Sequence, residues 1–230
     1  MRALQARPFY RAIRSPYHLE RALLRNPVLT PFSALPPEYL REISREEVNA
    51  LPVGGYEGDI VMVETRRDFD RAWEDLAGEA WVGWDTETRP AFRVGESYLP
   101  SLVQAATRRA VYLFPLAKMD FSKVVGGLFA EPTIVKAGIS VADDLKKLKE
   151  VFPFEEASVL DLGTAARRAG LKQTGLRNLA AVFLGFRVPK GAKTTNWAAP
   201  RLTAQQVRYA ATDAWACREL YLKFREMELV

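Results

Sequence analysis

The pattern of hydrophobic and polar positions changes near residue 58. From there onward, apolar runs rich in β-branched and aromatic residues alternate with segments whose apolar residues recur at helical spacing. The predicted strands are 59–64, 81–88, 99–107, 110–115 and 133–137, and the predicted helices are 67–76, 121–129, 140–151, 161–169, 175–184 and 203–227. The runs 99–107 and 110–115 flank a basic turn and predict a β-hairpin. Antiparallel strands followed by alternating strands and helices predict an α/β fold, a mixed β-sheet with helices on its faces.

The first 55 residues differ from the rest. Four arginines precede the first acidic residue, Glu20, and six prolines between residues 8 and 37 interrupt any long helix, which leaves room for a short helix at 37–47. Such a segment can be an organellar transit peptide, a basic arm that touches nucleic acid, or an irregular segment packed over the domain surface. We therefore expect an N-terminal basic, proline-interrupted extension over 1–55 and one domain over 56–230.

Charge and hydropathy narrow the class of protein. The formal net charge of +5 and the pI of about 9.3 suit a polyanionic partner without proving one. No apolar run approaches the roughly 20 residues that a membrane span needs, so we expect no membrane partner. The lack of a secretory signal and the single cysteine favour an intracellular, bacterial-cytoplasmic protein.

The rare residues restrict the chemistry. Cys217 is the only cysteine and His18 the only histidine. Together they exclude a disulfide framework and a Cys/His zinc site within one chain, and His18 lies far from any candidate nucleophile. Catalysis by this chain would therefore rely on carboxylates, with a tyrosine as a further candidate.

The run WVGWDTET, residues 81–88, carries two carboxylates at its end. Alternate residues of a strand share a face, so Asp85 and Glu87 point the same way, about 6–7 Å apart, with Gly83 leaving room beside them. Two carboxylates in an apolar setting repel each other unless a cation or protons are shared there. The alternative interpretation of this run alone is a solvated acidic turn.

Helical geometry selects one of two neighbouring aspartates in 140–151. At about 100° per residue, Asp144 falls roughly 60–70° from the centre of the apolar stripe, and Asp143 falls nearly opposite it. Asp144 is therefore the one that can face the sheet. The alternative is a half-exposed acid on an amphipathic helix.

The last predicted helix places another carboxylate on its apolar side. Asp213 falls within the apolar sector, with Tyr209 one turn earlier on the same side. A buried carboxylate costs several kcal/mol unless it has a partner. The predicted buried face consists of Ala210, Ala214, Cys217 and Tyr221, and the predicted solvated face of Arg208, Thr212, Glu219 and Lys223.

Four carboxylates thus have reason to face inward: Asp85, Glu87, Asp144 and Asp213. Hard oxygen ligands without histidine or cysteine suit Mg²⁺ or Mn²⁺. Two such ions, about 3.5–4 Å apart, stabilise the attacking and leaving oxygens of a phosphoryl displacement. Phosphodiester hydrolysis is the chemistry that this residue set favours.

These residues also resemble a known family. The D-T-E at 85–87, the D-L-x-x-L at 144–148 and the Y-x-x-x-D at 209–213 are similar to the three motifs of the DEDDy 3′–5′ exonucleases, which include ribonuclease D, the proofreading domain of bacterial DNA polymerase I and the exonuclease domain of the Werner-syndrome helicase. The resemblance covers about residues 58–225. The flanking LVQ at 102–104, YLF at 112–114, LRNL at 176–179, Asn196-Trp197 and YAATDA at 209–214 resemble the Werner-type branch.

The resemblance implies a ribonuclease H-like mixed sheet, flanked by helices, in a stand-alone exonuclease. It implies that Asp85, Glu87 and Asp213 hold one metal ion, that Asp85 bridges to a second, and that Asp144 reaches the second largely through water. Tyr209 would orient the attacking water or help to deprotonate it. The implied activity is removal of nucleoside 5′-monophosphates from the 3′ end of a nucleic acid strand.

Candidate substrate contacts lie on two segments. The segment 187–201 holds Lys190, Lys193, Asn196 and Trp197, and the loop after the acidic strand holds Arg89 and Arg93. Basic side chains would contact phosphates, and Trp197 would stack on a base or, alternatively, fill the core. Such contacts bind without sequence preference.

Several questions stay open at this point. A non-catalytic nucleic-acid-binding module on the same fold is the competing function, because fold does not dictate activity. The choice between DNA and RNA depends on local geometry around a 2′-hydroxyl, and the oligomeric state is not determined by these patterns.

Overall fold

A mixed β-sheet forms the centre of the protein. The computed structural model describes residues 35–189, 192 and 194–230, and within these residues the strand order is β1-β4-β3-β2-β5-β6. The strands are β1 (Asp59–Met62), β2 (Trp81–Glu87), β3 (Leu102–Ala106), β4 (Ala110–Pro115), β5 (Val135–Gly138) and β6 (Val159–Asp161). Strands β2, β3 and β4 are antiparallel neighbours, whereas β1 pairs in parallel with β4, β5 with β2 and β6 with β5.

Helices cover both faces of this sheet. They are α1 (Pro37–Leu40), α2 (Arg45–Ala50), α3 (Arg66–Ala77), α4 (Gly127–Ala130), α5 (Val141–Val151), α6 (Leu162–Arg168), α7 (Leu176–Leu179) and α8 (Ala204–Glu226). A π-helical turn, Ser122–Gly126, leads into α4, and another, Ala180–Leu184, follows α7. Capping boxes begin α3 at Thr65 and α8 at Thr203, where each hydroxyl accepts a hydrogen bond from a first-turn amide. The predicted mixed sheet with flanking helices is confirmed.

The structure differs from the sequence prediction in two elements. Strand β6 was not predicted, because three residues are too few to show a period. The predicted helix 37–47 is divided into α1 and α2, since Ser44 forms a capping box with Glu47 and starts a new helix.

The two faces of the sheet carry separate cores. On β3, Val103 and Ala105 pack with Trp84 and helices α3, α4 and α5, whereas Leu102 and Ala106 pack with α8. A further cluster joins α6 and α7 to the second half of α8. Because side chains alternate along a strand, the face of β2 that bears Gly83, Asp85 and Glu87 is the one that meets α8.

Helix α8 lies unusually close to β2 at Gly83. A Cβ atom on Gly83 would lie 2.1 Å from the carbonyl oxygen of Ala214 and 2.4 Å from the amide nitrogen of Arg218. The space that Gly83 leaves is therefore filled by helix backbone. Ala210 and Ala214 are fully buried at this contact, so small side chains on α8 permit the approach.

The described part of the N-terminal extension packs on the domain. The ring of Tyr39 stacks on Phe183 with centroids 5.1 Å apart, and the amide of Gly54 donates to the carbonyl of Arg187 at 3.1 Å. The amide of Tyr56 donates to Thr212 Oγ1 at 3.1 Å. The prediction that Thr212 is solvated is thus wrong, because Gly55 and Tyr56 lie against it. The arginine-rich start lies outside the described residues.

Helices long and apolar enough to span a membrane are not found among the described residues.

We predict that Gly83→Ala destabilises the protein by about 2–3 kcal/mol, because the added methyl group meets backbone atoms that cannot move aside without shifting α8. The free energy of unfolding in urea measures this. Gly126→Ala is the matched control: Gly126, in the π-helical turn before α4, is buried like Gly83, but its Cβ would lie 3.7 Å from the nearest atom outside the backbone of its own turn. We expect that control to be neutral or slightly stabilising; equal losses in both variants would contradict the argument.

Candidate metal centre and active site

Three carboxylates meet where β2 passes under α8. Asp85 and Glu87 come from the end of β2 and Asp213 from the middle of α8, and each offers an oxygen within 4.8 Å of the others. Glu87 and Asp213 are buried and Asp85 is half-buried. Negative charges this close repel one another, and a shared cation or shared protons would offset that repulsion. The oxygen-only donor set fits Mg²⁺ or Mn²⁺.

Asp144 approaches from the other face of β2. It lies in the first turn of α5 and is half-buried, whereas Asp143 is exposed, as the helical geometry predicted. Thr86 Oγ1 donates a hydrogen bond to Asp144 Oδ1 at 2.6 Å. Burial raises the pKa of Asp144, and the hydrogen bond from Thr86 partly opposes that increase. Asp144 lines the same cavity as the three clustered carboxylates but is not one of that compact group.

The turn before α5 brings Asp144 to this position. Ser140 adopts a left-handed conformation, with φ of 59°, two residues after the end of β5 and directly before the helix. The turn starts α5 at the end of β5, next to the carboxyl end of its parallel neighbour β2. The first helical turn therefore lies beside the acidic end of β2.

Tyr209 stands one turn before Asp213 and faces the same cavity. Burial raises the pKa of its phenol above the ordinary range, and the nearby carboxylates of Asp213 and Glu87 raise it further. The phenol is therefore protonated at neutral pH, and its hydroxyl can donate or accept a hydrogen bond.

An open cavity of about 820 Å³ connects these groups. Its wall also contains Lys147, Arg177, Asn178 and Thr194. The Nε of Arg177 is buried and makes no hydrogen bond within the described part of the chain. Cys217 also reaches the cavity, but burial raises the pKa of its thiol, so it is a core residue rather than a nucleophile.

The predicted substrate contacts have mixed outcomes. Trp197 is 2% exposed and its ring packs 6.1 Å from that of Tyr209, so the prediction that it stacks on a base is wrong and the core alternative holds. Asn196 is exposed, but its side chain accepts a hydrogen bond from the Ala198 amide and does not line the cavity. Arg89 lies over the ring of Tyr98 at 4.1 Å, and Arg93 is exposed on the same loop. Lys190 and Lys193 lie outside the described residues.

Sequence reasoning missed several residues that line the cavity, and among these the spacing could have revealed Lys147. Lys147 follows Asp144 by three residues and so shares its side of α5. Arg177 and Asn178 belong to the LRNL segment, whose position relative to the carboxylates could not be read from local pattern. The strand pattern did not indicate Thr86, because its side chain points away from the face that carries Asp85 and Glu87.

Comparison with known sequences identifies the family. The sequence model of a family described as 3′–5′ exonuclease matches residues 60–228. Ribonuclease D of Gluconacetobacter diazotrophicus is 31% identical over 167 residues, 71% of this chain and 42% of the relative. A 3′–5′ exonuclease of Arabidopsis thaliana is 28% identical over 203 residues, 80% of this chain and 70% of the relative. The chain spans less than half the length of the ribonuclease D relatives that it matches.

Comparison with solved structures gives the same fold. The EXO domain of Aedes aegypti Nibbler superposes with a TM-score of 0.69 at 22% identity, covering 76% of this chain and 92% of that domain. Ribonuclease D of Escherichia coli gives a TM-score of 0.65 at 22% identity, covering 74% of this chain and 45% of the other. These similarities confirm the ribonuclease H-like fold. Together with the sequence match over 60–228, they show that this chain belongs to the 3′–5′ exonuclease family.

Proposed function

We propose that the protein is a metal-dependent 3′–5′ exonuclease that hydrolyses phosphodiester bonds of DNA or RNA and releases nucleoside 5′-monophosphates. The observation that carries this proposal is the group of Asp85, Glu87 and Asp213, with oxygens within 4.8 Å of one another in an open cavity. The neutral Tyr209 lines the same cavity. Membership in the exonuclease family supports the reaction type.

The donor set divides into two metal positions in this proposal. Asp85, Glu87 and Asp213 would hold one Mg²⁺ or Mn²⁺ ion, and Asp85 and Asp144 would hold the second, with Asp144 acting largely through water. When bound, such ions lower the pKa of a water molecule and offset charge on the phosphate.

The other cavity residues have supporting roles in this scheme. The Tyr209 hydroxyl orients the attacking water by hydrogen bonding, and burial, which raises the pKa of this phenol, favours its neutral form in that role. Lys147 and Arg177 lie on the cavity wall, where their positive charges suit phosphate oxygens. Phosphate contacts of this kind bind without reading the base sequence.

Substrate and location are extensions of the proposal. A structural relative, ribonuclease D of Trypanosoma brucei, was solved with RNA U12, with a TM-score of 0.64 at 20% identity. That complex supports a nucleic acid substrate, and the proposal takes a single-stranded 3′ end as the form that enters the cavity. A bacterial-cytoplasmic location is part of the proposal, and bacterial ribonucleases D are among the similar proteins.

The competing function is a nucleic-acid-binding module without activity. It requires no convergence of carboxylates, because phosphate binding needs positive charge. The clustering of Asp85, Glu87 and Asp213 is unfavourable for a surface that only binds an anion. This observation favours the enzyme over the binding module.

We predict that Asp85→Ala and Asp213→Ala each abolish shortening of a nucleic acid from its 3′ end, because each removes an oxygen from the shared group. Single and double strands of DNA and RNA, labelled at the 3′ or 5′ end, are incubated with Mg²⁺ or Mn²⁺. Asp143→Ala is the control, since this exposed acid lies outside the cavity wall. Activity without metal, or equal activity in the Asp85 and Asp143 variants, would refute the proposal.

Tyr209→Phe tests the orienting role. Removing the hydroxyl should lower kcat by about 10²-fold, in the range of a lost acid–base or orienting group, with little change in substrate affinity. Single-turnover rates and filter binding measure the two quantities separately. An unchanged rate would remove Tyr209 from the mechanism.

Asp144→Asn should stabilise the metal-free protein at neutral pH. A raised carboxyl pKa means that the folded chain holds the proton more tightly than the unfolded chain, so stability falls as pH rises through that window. Asparagine cannot ionise and escapes this loss. Urea unfolding in EDTA should show Asp144→Asn more stable than Asp143→Asn at pH 7, with the difference shrinking in acid. A difference of opposite sign would contradict it.

A further inference from the structure

Thr86 links the two faces of β2 at the active site. It lies between Asp85 and Glu87, so its side chain points to the opposite face, toward α5. Its amide donates to Asp85 Oδ1 at 2.9 Å, and its hydroxyl donates to Asp144 Oδ1 at 2.6 Å. One buried residue therefore contacts carboxylates that come from two different elements.

The hydrogen bond from Thr86 is the main restraint on the side chain of Asp144. Helix α5 fixes the Cα position of Asp144, but an aspartate side chain can still rotate about χ1 and χ2. Among the described residues, Thr86 is the group that hydrogen-bonds to the Asp144 carboxylate. Threonine is branched at Cβ and stiff at χ1, so its hydroxyl direction is largely set by the strand.

We propose that Thr86 is a positioning residue that fixes Asp144 relative to Asp85 and thereby sets the affinity of the second metal position. The inference rests on the proposed function, in which Asp85 and Asp144 share that position. Holding one oxygen of Asp144 leaves the other available to the cavity. Thr86 itself touches neither substrate nor ion in this scheme, so it acts through the two carboxylates.

Two substitutions separate the hydroxyl from the shape of the side chain. Thr86→Val keeps the branched shape and removes the donor, and Thr86→Ser keeps the donor. Thr133→Val is the matched control, because Thr133 Oγ1 donates to Glu131 Oε1 at the same distance, 2.6 Å. That pair is exposed and precedes β5, at the opposite end of this strand from the active site.

The first measurement is binding of Mn²⁺ alone to the full chain, followed by electron paramagnetic resonance of the free ion. Of the two bound ions, the one with the lower affinity should lose a further factor of about 10 or more in affinity in Thr86→Val. This is the range expected when a hydrogen-bond partner of a metal ligand is removed. Thr86→Ser should restore most of that affinity, and Thr133→Val should match the unmodified chain.

The second measurement is the Mg²⁺ dependence of hydrolysis. Thr86→Val should raise the half-saturating Mg²⁺ concentration by about 10-fold, with much of kcat recovered at saturating metal. A residue that only stabilised the fold would not produce this split.

A double-mutant cycle keeps the test independent of any general loss of stability. In an Asp144→Ala background, Thr86→Val should have no further effect on Mn²⁺ affinity, because the partner is already gone. Additive effects, or two ions bound with unmodified affinity by Thr86→Val, would overturn the inference alone. An unmodified chain that binds no Mn²⁺ would overturn the proposed function as well.

Discussion

The contact between Gly83 on β2 and the backbone of α8 determines the rest of the active site. No other residue type fits there, because a Cβ would lie 2.1 Å from a carbonyl oxygen. Asp213 precedes that carbonyl, on Ala214, by one residue, and Asp85 and Glu87 follow Gly83 on the same face. The absence of one side chain therefore brings three carboxylates together, and a helix displaced by a methyl group would separate them.

The same closeness explains the electrostatics. Burial raises the pKa of the Tyr209 phenol, and the carboxylates of Asp213 and Glu87 close beside it raise that pKa further. The Asp144 pKa rises mainly through its own burial. Burial of the Asp144 carboxylate therefore costs stability at neutral pH, and a cation bound beside it would favour the ionised form and offset that cost. The residues that this site requires for function are therefore not the residues that would make the metal-free protein most stable.

Much of this could be predicted from the sequence wherever a local period decides the outcome. Alternation placed Asp85 and Glu87 on one face, and helical spacing selected Asp144 over Asp143. Where tertiary context decides, local pattern failed. Trp197 carries no signal that it packs beside Tyr209, and Thr212 appeared solvated because the segment that covers it lies about 156 residues earlier in the chain. The contribution of Arg177 to the cavity likewise depends on where α7 lies in space.

The alternation of side chains along a strand does not show that both faces can contribute to one site at the strand's end. Along most of β2 the two faces belong to separate cores, one under α8 and one under α5. At its carboxyl end the strand emerges from both layers, and the first turn of α5 reaches the same cavity as α8. Residues on opposite faces then serve one site: Asp85 and Glu87 from one side, and Thr86 through Asp144 from the other. A residue that points away from the acids in a strand pattern can thus still orient one of their partners.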